Sequence, residues 1–165
     1  MKDEVSIVFL DKNIVEYFYS PSGEQLALYK THHTVRWLGS TDAVERYNAI
    51  YIPLGEGTLE TLKVRSISPD GKVVISNQDE LKEIKDEESG RGYKMFAIEG
   101  IEKGSEIEYF YTTKEIVLGG NQEGRNFLQS GTPTRNVHFE LITPSFLQFE
   151  AKSYNGLPDV ELKED

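Results

Sequence analysis

The chain carries three histidines, 28 carboxylates and no cysteine, and that inventory bounds the chemistry open to it. Without a thiol there is no disulfide, no thiolate metal site and no cysteine nucleophile. His32 and His33 are neighbours, and successive residues of a strand point to opposite faces, so a regular strand does not let them share one ion. His138 is the third and lies far away in sequence. Ordinary strand histidines account for all three. A serine or threonine nucleophile needs a base beside it, and no Gly-X-Ser-X-Gly elbow occurs. Carboxylate neighbours such as Glu106 and Glu108, Asp79 and Glu80, and Glu87 and Glu88 are what so acidic a composition supplies. A glycosidase pair must stand at a set separation across a cleft, which spacing along a chain does not establish, so solvated faces are the plainer account. Phosphate-binding patterns also fail: Gly55-Glu56-Gly57 meets Glu60 where a third glycine belongs, and Gly71-Lys72-Val73 lacks both the upstream glycine and the hydroxyl residue. The expectation is a chain with no catalytic, metal or cofactor-binding residues.

Binding is the remaining class. Tyr17, Tyr19, Tyr47, Tyr51, Tyr109 and Tyr111 fall in stretches that read as strands, and a sheet face paved with tyrosine stacks sugar rings. The plainer account is that each ring is partly buried with its hydroxyl at the core edge. A net charge of −10 repels phosphate backbones, and no run of Lys or Arg makes a local exception, so nucleic acid is excluded as a partner. The same charge opposes docking on anionic lipid, and no window is long and apolar enough for a direct membrane span. Met1-Lys2-Asp3-Glu4 opens the chain without the apolar segment of a signal peptide.

Residues of these types must be positioned by strands. Nine tyrosines and eight phenylalanines stand against two methionines, a balance that fits pleated surfaces. Pro69-Asp70-Gly71 is a reverse-turn signature between Leu62-Lys63-Val64-Arg65 and Val73-Val74-Ile75, and predicts a β-hairpin. Further strands are expected over 5–10, 14–19, 25–38, 44–54, 93–98 and 106–111, then 126–128, 136–143 and 145–153. Turns are expected at Asp11-Lys12-Asn13, at Ser20-Pro21-Ser22-Gly23 and at Gly39-Ser40-Thr41-Asp42. The charged stretch 79–92 holds Leu81 and Ile84 at helical spacing, and serves equally as an exposed loop or edge strand. No long apolar period of 3.6 appears. The predicted fold is therefore all-β, an antiparallel two-sheet β-sandwich of many short strands with little helix. One domain over 1–154 is expected, followed by a tail or linker over 155–165.

The stretches 44–54 (VERYNAIYIPL), 59–74 (LETLKVRSISPDGKVV) and 93–114 (YKMFAIEGIEKGSEIEYFYTTK) together resemble a bacterial domain of unknown function. That domain stands amino-terminal to transglutaminase-like domains in exported proteins, notably of Bacteroidota. The resemblance rests on Ile52-Pro53, on Ser68-Pro69-Asp70-Gly71-Lys72, and on Lys103-Gly104-Ser105 leading to Glu108-Tyr109-Phe110-Tyr111. The stretches 32–48 and 127–144 are similar to it as well. It implies a non-catalytic β-sandwich accessory domain whose partner is a neighbouring transglutaminase-like domain in a longer gene product. It also implies a periplasmic or extracellular location as part of an exported protein. A glycan- or peptide-binding module is the alternative reading, and a carboxylate-dependent hydrolase the third.

An accessory domain needs a contact surface. The segment from Phe146 to Leu157 places Phe146, Tyr154 and Leu157 on or near its exposed side, beside the Asn155-Gly156 corner, and these three are the expected interaction residues.

Overall fold

At the corner formed by residues 68–72, Gly71 donates its amide to the Ser68 carbonyl at 2.9 Å and Ser68 donates to the Lys72 carbonyl at 2.9 Å. Gly71 takes φ +86°, the left-handed conformation that glycine tolerates without penalty. Asp70 accepts from the Ser68 hydroxyl and from the Lys72 amide, as a turn aspartate does. This computed structural model describes residues 5–19, 25–55, 57–77, 81–85, 92–117, 119, 124–128 and 130–163. The expected turn at Ser20-Pro21-Ser22-Gly23 and most of the charged stretch 79–92 lie outside the described residues.

Two sheets hold the domain. Among the described residues the strands are β1 (Ser6–Tyr19), β2 (Leu26–Leu38), β3 (Ala49–Pro53), β4 (Thr58–Ile67), β5 (Val73–Ile75), β6 (Lys82–Lys85), β7 (Gly92–Ala97), β8 (Glu106–Ile116) and β9 (Val137–Ile142), with one helix, α1 (Thr41–Arg46), between β2 and β3. Six strands form one sheet in the order β5-β4-β8-β2-β1-β9, and three form the other in the order β3-β7-β6. Leu62 and Val64 of β4, Ile107 and Tyr111 of β8, and Leu38 of β2 meet Ile50 and Ile52 of β3, Phe96 of β7 and Ile98 in one buried cluster. The two sheets therefore pack face to face as a β-sandwich, with alternate residues of each strand turned inward. In β3 the alternation is plain: Ile50 and Ile52 are buried while Tyr51 and Pro53 are exposed.

Several expectations need correction. Asp11-Lys12-Asn13 is not a turn; β1 runs through it, paired with Thr34, His33 and His32 of β2. Asn13 donates to the Asp11 carboxylate at 2.9 Å, an i,i+2 contact along one strand face that satisfies both polar groups without a reversal. Gly39-Ser40-Thr41-Asp42 does more than break a strand. Ser40 accepts from the Ala43 amide at 3.1 Å and caps α1, with Asp42 in the first turn and Arg46 in the last, so the Ser-Thr-Asp cluster is a helix start. Tyr47 is accordingly the helix C-cap and not a strand residue.

Residues 126–128 and 145–153 form no strand. In the latter, Leu147 and Phe149 are half-buried between exposed Gln148 and Glu150, so the expected alternation is present without a ladder. The segment lies against the sheet face through its rings: Phe149 contacts Tyr17 at 5.0 Å and Phe146 contacts Tyr19 at 5.3 Å between centroids. The sandwich is also not wholly antiparallel. β9 pairs in parallel with β1, from Asp11 opposite Val137 to Glu16 opposite Ile142. β2 and β1 lie between β8 and β9 in the sheet, so the connection from β8 to β9 is a crossover, as a parallel partner requires. Val8 and Arg135 tie the crossover down through a 2.9 Å amide bond in each direction, from Val8 to the Pro133 carbonyl and from Arg135 to the Val8 carbonyl.

Candidate functional site

The expected interaction residues do not share one strand face. Phe146 is 63% exposed although its ring leans on Tyr19, and Tyr154 is 62% exposed with the Lys152 ammonium 5.3 Å from its ring. Leu157 is half-buried and donates its amide to the Tyr154 carbonyl at 3.3 Å. Asn155 and Gly156, at φ +58° and +79°, make the turn that brings Tyr154 and Leu157 together. Beyond them Val160 and Leu162 are also exposed, Leu162 by 87%.

The histidines are placed separately. His32 faces inward and stacks on Tyr111 at 4.8 Å, and burial holds its imidazole below the ordinary value, with Asp11 pulling upward and Lys30 downward. His33 faces outward, its Nε2 2.8 Å from Glu108. His138 lies 3.3 Å from Glu140. Among the described residues, no group of three or more histidine or carboxylate side chains is arranged to hold a metal ion. Glu108 also accepts from the Arg65 guanidinium across the β4–β8 rung. Burial would raise this carboxyl, but hydrogen bonds from His33 and Arg65 and the arginine charge hold it below the usual carboxylate range.

A cleft lies elsewhere, where β3 and the end of α1 meet the inner face of β2 and β8. It has a volume of about 230 Å³ and is lined by Arg36, Tyr47, Ala49, Tyr51, Tyr109 and Tyr111 together with Ile50 and Ile107. The Arg36 guanidinium lies 3.9 Å from the centroid of the Tyr47 ring and donates to the Ser6 hydroxyl at 3.2 Å. Tyr109 and Tyr111, two residues apart on one strand face, hold their rings within 8° of parallel at 6.4 Å. Burial pushes Tyr111 up, with neighbouring Tyr109 and Asp11 adding to it, so that phenol keeps its proton. Burial would raise Tyr47 too, but hydrogen bonding with Thr132, Ser6 and Arg46 and the Arg36 charge bring it below the ordinary phenol value. The cleft thus offers aromatic faces, phenol hydroxyls and a cation.

Four of the six tyrosines singled out by strand position line this cleft, while Tyr17 and Tyr19 meet the C-terminal segment instead. Arg36 was missed. Its signal is parity: it shares an inward-facing alternation with Thr34 and Leu38, both buried, and an arginine on that face must either pair or line a cavity.

The fold and the cleft together define a two-sheet β domain with a tyrosine-lined cleft. Its residues 27–165 match the profile of DUF3857, a domain of unknown function with a solved structure, and the chain belongs to that family. No curated protein matches the sequence. Among solved structures, the chain is similar to one from Parabacteroides distasonis ATCC 8503 described as a "putative protease", with a TM-score of 0.57 and 14% identity. The match covers 70% of this chain and 24% of that one, so the chain spans about a quarter of the larger protein's length. At that identity the likeness is one of fold.

Proposed function

We propose that this domain is a non-catalytic accessory module that seats its C-terminal segment against a neighbouring domain of a longer protein. The observation that carries the reading is the segment after β9. It forms no ladder, yet it holds Phe146, Tyr154, Val160 and Leu162 exposed on a chain that is otherwise strongly acidic. Intramolecular domain contacts of about 600–1,500 Å² use aromatic anchors of this kind within a polar rim. The similar fold in Parabacteroides distasonis occupies a fraction of a longer chain, which supports a modular role. The neighbour we propose is transglutaminase-like, following the sequence resemblance, in an exported protein. The catalytic residues belong to that neighbour, and this chain alone turns over neither peptide, amide-transfer nor glycoside substrates.

Hydrogen exchange tests the reading. Residues 146–162 exchange fast in the isolated chain and become protected at least tenfold when a transglutaminase-like domain follows in the same polypeptide. Equal exchange in both forms removes the interface. Reproducible turnover by the isolated chain that is lost on Glu106→Gln or Glu108→Gln substitution replaces the reading with a carboxylate enzyme.

A further inference from the structure

Among the described residues, β5 and β9 lie at the edges of one sheet and β3 and β6 at the edges of the other. An open edge offers unpaired N–H and C=O groups to any strand that comes alongside, and natural sheets blunt it with short strands, proline or lysine. β5 is only three residues long, β3 ends on Pro53, and β6 is four residues with Lys82 and Lys85 at its ends. β9 carries none of these devices. It runs for six residues, Val137-His138-Phe139-Glu140-Leu141-Ile142, with no proline, glycine or lysine.

The ladder with β1 fixes which backbone groups of β9 are open. Asp11 stands opposite Val137 and donates its amide to the Asn136 carbonyl at 2.9 Å. In a parallel ladder that bond turns the N–H and C=O groups of 136, 138, 140 and 142 toward β1, and those of Val137, Phe139 and Leu141 toward the open side. Among the described residues no backbone bond from outside the β1 ladder reaches these three. The side chains alternate as well. Val137, Phe139 and Leu141 share one sheet face, while His138 and Glu140 stand exposed on the other, 3.3 Å apart.

This pattern is self-complementary about Phe139. Two copies of β9 related by a two-fold axis run antiparallel. With the axis at Phe139, that residue meets its own symmetry mate, Val137 meets Leu141, and His138 meets Glu140. The open groups of Val137, Phe139 and Leu141 then fall in hydrogen-bonded pairs. His138 and Glu140 fall in the non-hydrogen-bonded pairs, where Cα atoms are about 4.5 Å apart and side chains are closest. Moving the axis to Glu140 sets carboxylate against carboxylate, and moving it to His138 leaves Glu140 opposite Asn136. A net charge of −10 already opposes association of two copies, so the register that answers each carboxylate with an imidazole is the favoured one.

We infer that β9 is the edge through which two copies of this chain associate, antiparallel over residues 137–141 with the two-fold axis at Phe139. The two larger sheets then run on as one. The contact is a single strand wide, which places it in the class of small, weak interfaces. It does not use the exposed segment 146–162, so the inference stands apart from the accessory reading.

Sedimentation equilibrium of the 165-residue chain up to about 1 mM, with NMR on a mixture of isotope-labelled and unlabelled chains, tests the inference. The chain should pass from monomer to dimer across that range. Contacts between the α-protons of His138 in one copy and Glu140 in the other should appear, and the amides of Val137, Phe139 and Leu141 should exchange more slowly as concentration rises. His138→Glu sets like charges opposite each other at both symmetric positions and should weaken the dimer about tenfold. The double substitution His138→Glu with Glu140→His restores the pairing and should return most of that loss. Both side chains are exposed, so neither change disturbs the core. A chain that stays monomeric overturns the inference and leaves the edge to a strand of another protein. A dimer without the α-proton contacts, one indifferent to His138→Glu, or one that the double substitution fails to rescue overturns the edge and its register.

Discussion

Replacing Glu108 by Gln probes the most heavily connected charge on the outer sheet face. Glu108 sits in a rung with Arg65 of β4 and Val35 of β2, and its two oxygens serve different partners, His33 and Arg65. Glutamine keeps the shape and one acceptor oxygen but loses the charge. A hydrogen bond to a charged group contributes about 1.5–3 kcal/mol and a neutral one about 0.5–1.5, so each bond loses about 1 kcal/mol. The Arg65 side chain is 51% exposed and its arm must be discounted for solvent screening, whereas Glu108 is only 22% exposed. The His33 arm carries full ionic weight only when the imidazole is protonated. The net expectation near neutral pH is a loss of about 1–1.5 kcal/mol. At about 2–4 °C per kcal/mol for a domain of this size, Tm falls by roughly 2–6 °C.

Because the folded Glu108 titrates below the unfolded carboxyl, its contribution is fully present above the unfolded value of about 4.3 and disappears as pH falls through the lowered folded value. Urea denaturation of both proteins near neutral pH and at about pH 2.5 should therefore show a gap that closes in acid. Equal midpoints near neutral pH, or a gap of the same size in acid, would refute the assignment of an ionised, doubly bonded Glu108.

Two further outcomes follow from local geometry. Gly71→Val should cost about 1 kcal/mol or more through its positive dihedral alone, since a Cβ there meets nothing within 4 Å; unchanged denaturation midpoints would show that the corner relaxes freely. His32 is held neutral by burial, so the unfolded chain, whose imidazole titrates near about 6.5, binds the extra proton first; stability should be full above that pH and decline as pH falls toward the folded value, and His32→Phe should flatten the decline, an unchanged pH slope being the contrary result.

What could be read from the sequence alone were features whose cause is local. Pro69, Asp70 and Gly71 specify the corner at 68–72 because each sets a dihedral or a backbone bond within that corner. The Asn155-Gly156 turn is of the same kind, since both residues accept positive φ. Alternation separated Ile50 and Ile52 from Tyr51 onto opposite faces, because strand side chains change face at every residue whatever the partner strand, and packing decided which face is buried. Tertiary structure decided what depends on a distant partner. Asp11-Lys12-Asn13 has the residues of a turn, but a ladder on both edges outweighs that preference. Residues 145–153 alternate like a strand, yet the edge beyond β1 belongs to β9, and the segment packs through Phe146 and Phe149 instead. Arg36 shows the division most clearly. Its parity is written in β2, but the cleft it lines exists only where β3 and α1 are laid over β2 and β8, which join stretches of chain whose nearness no local preference encodes.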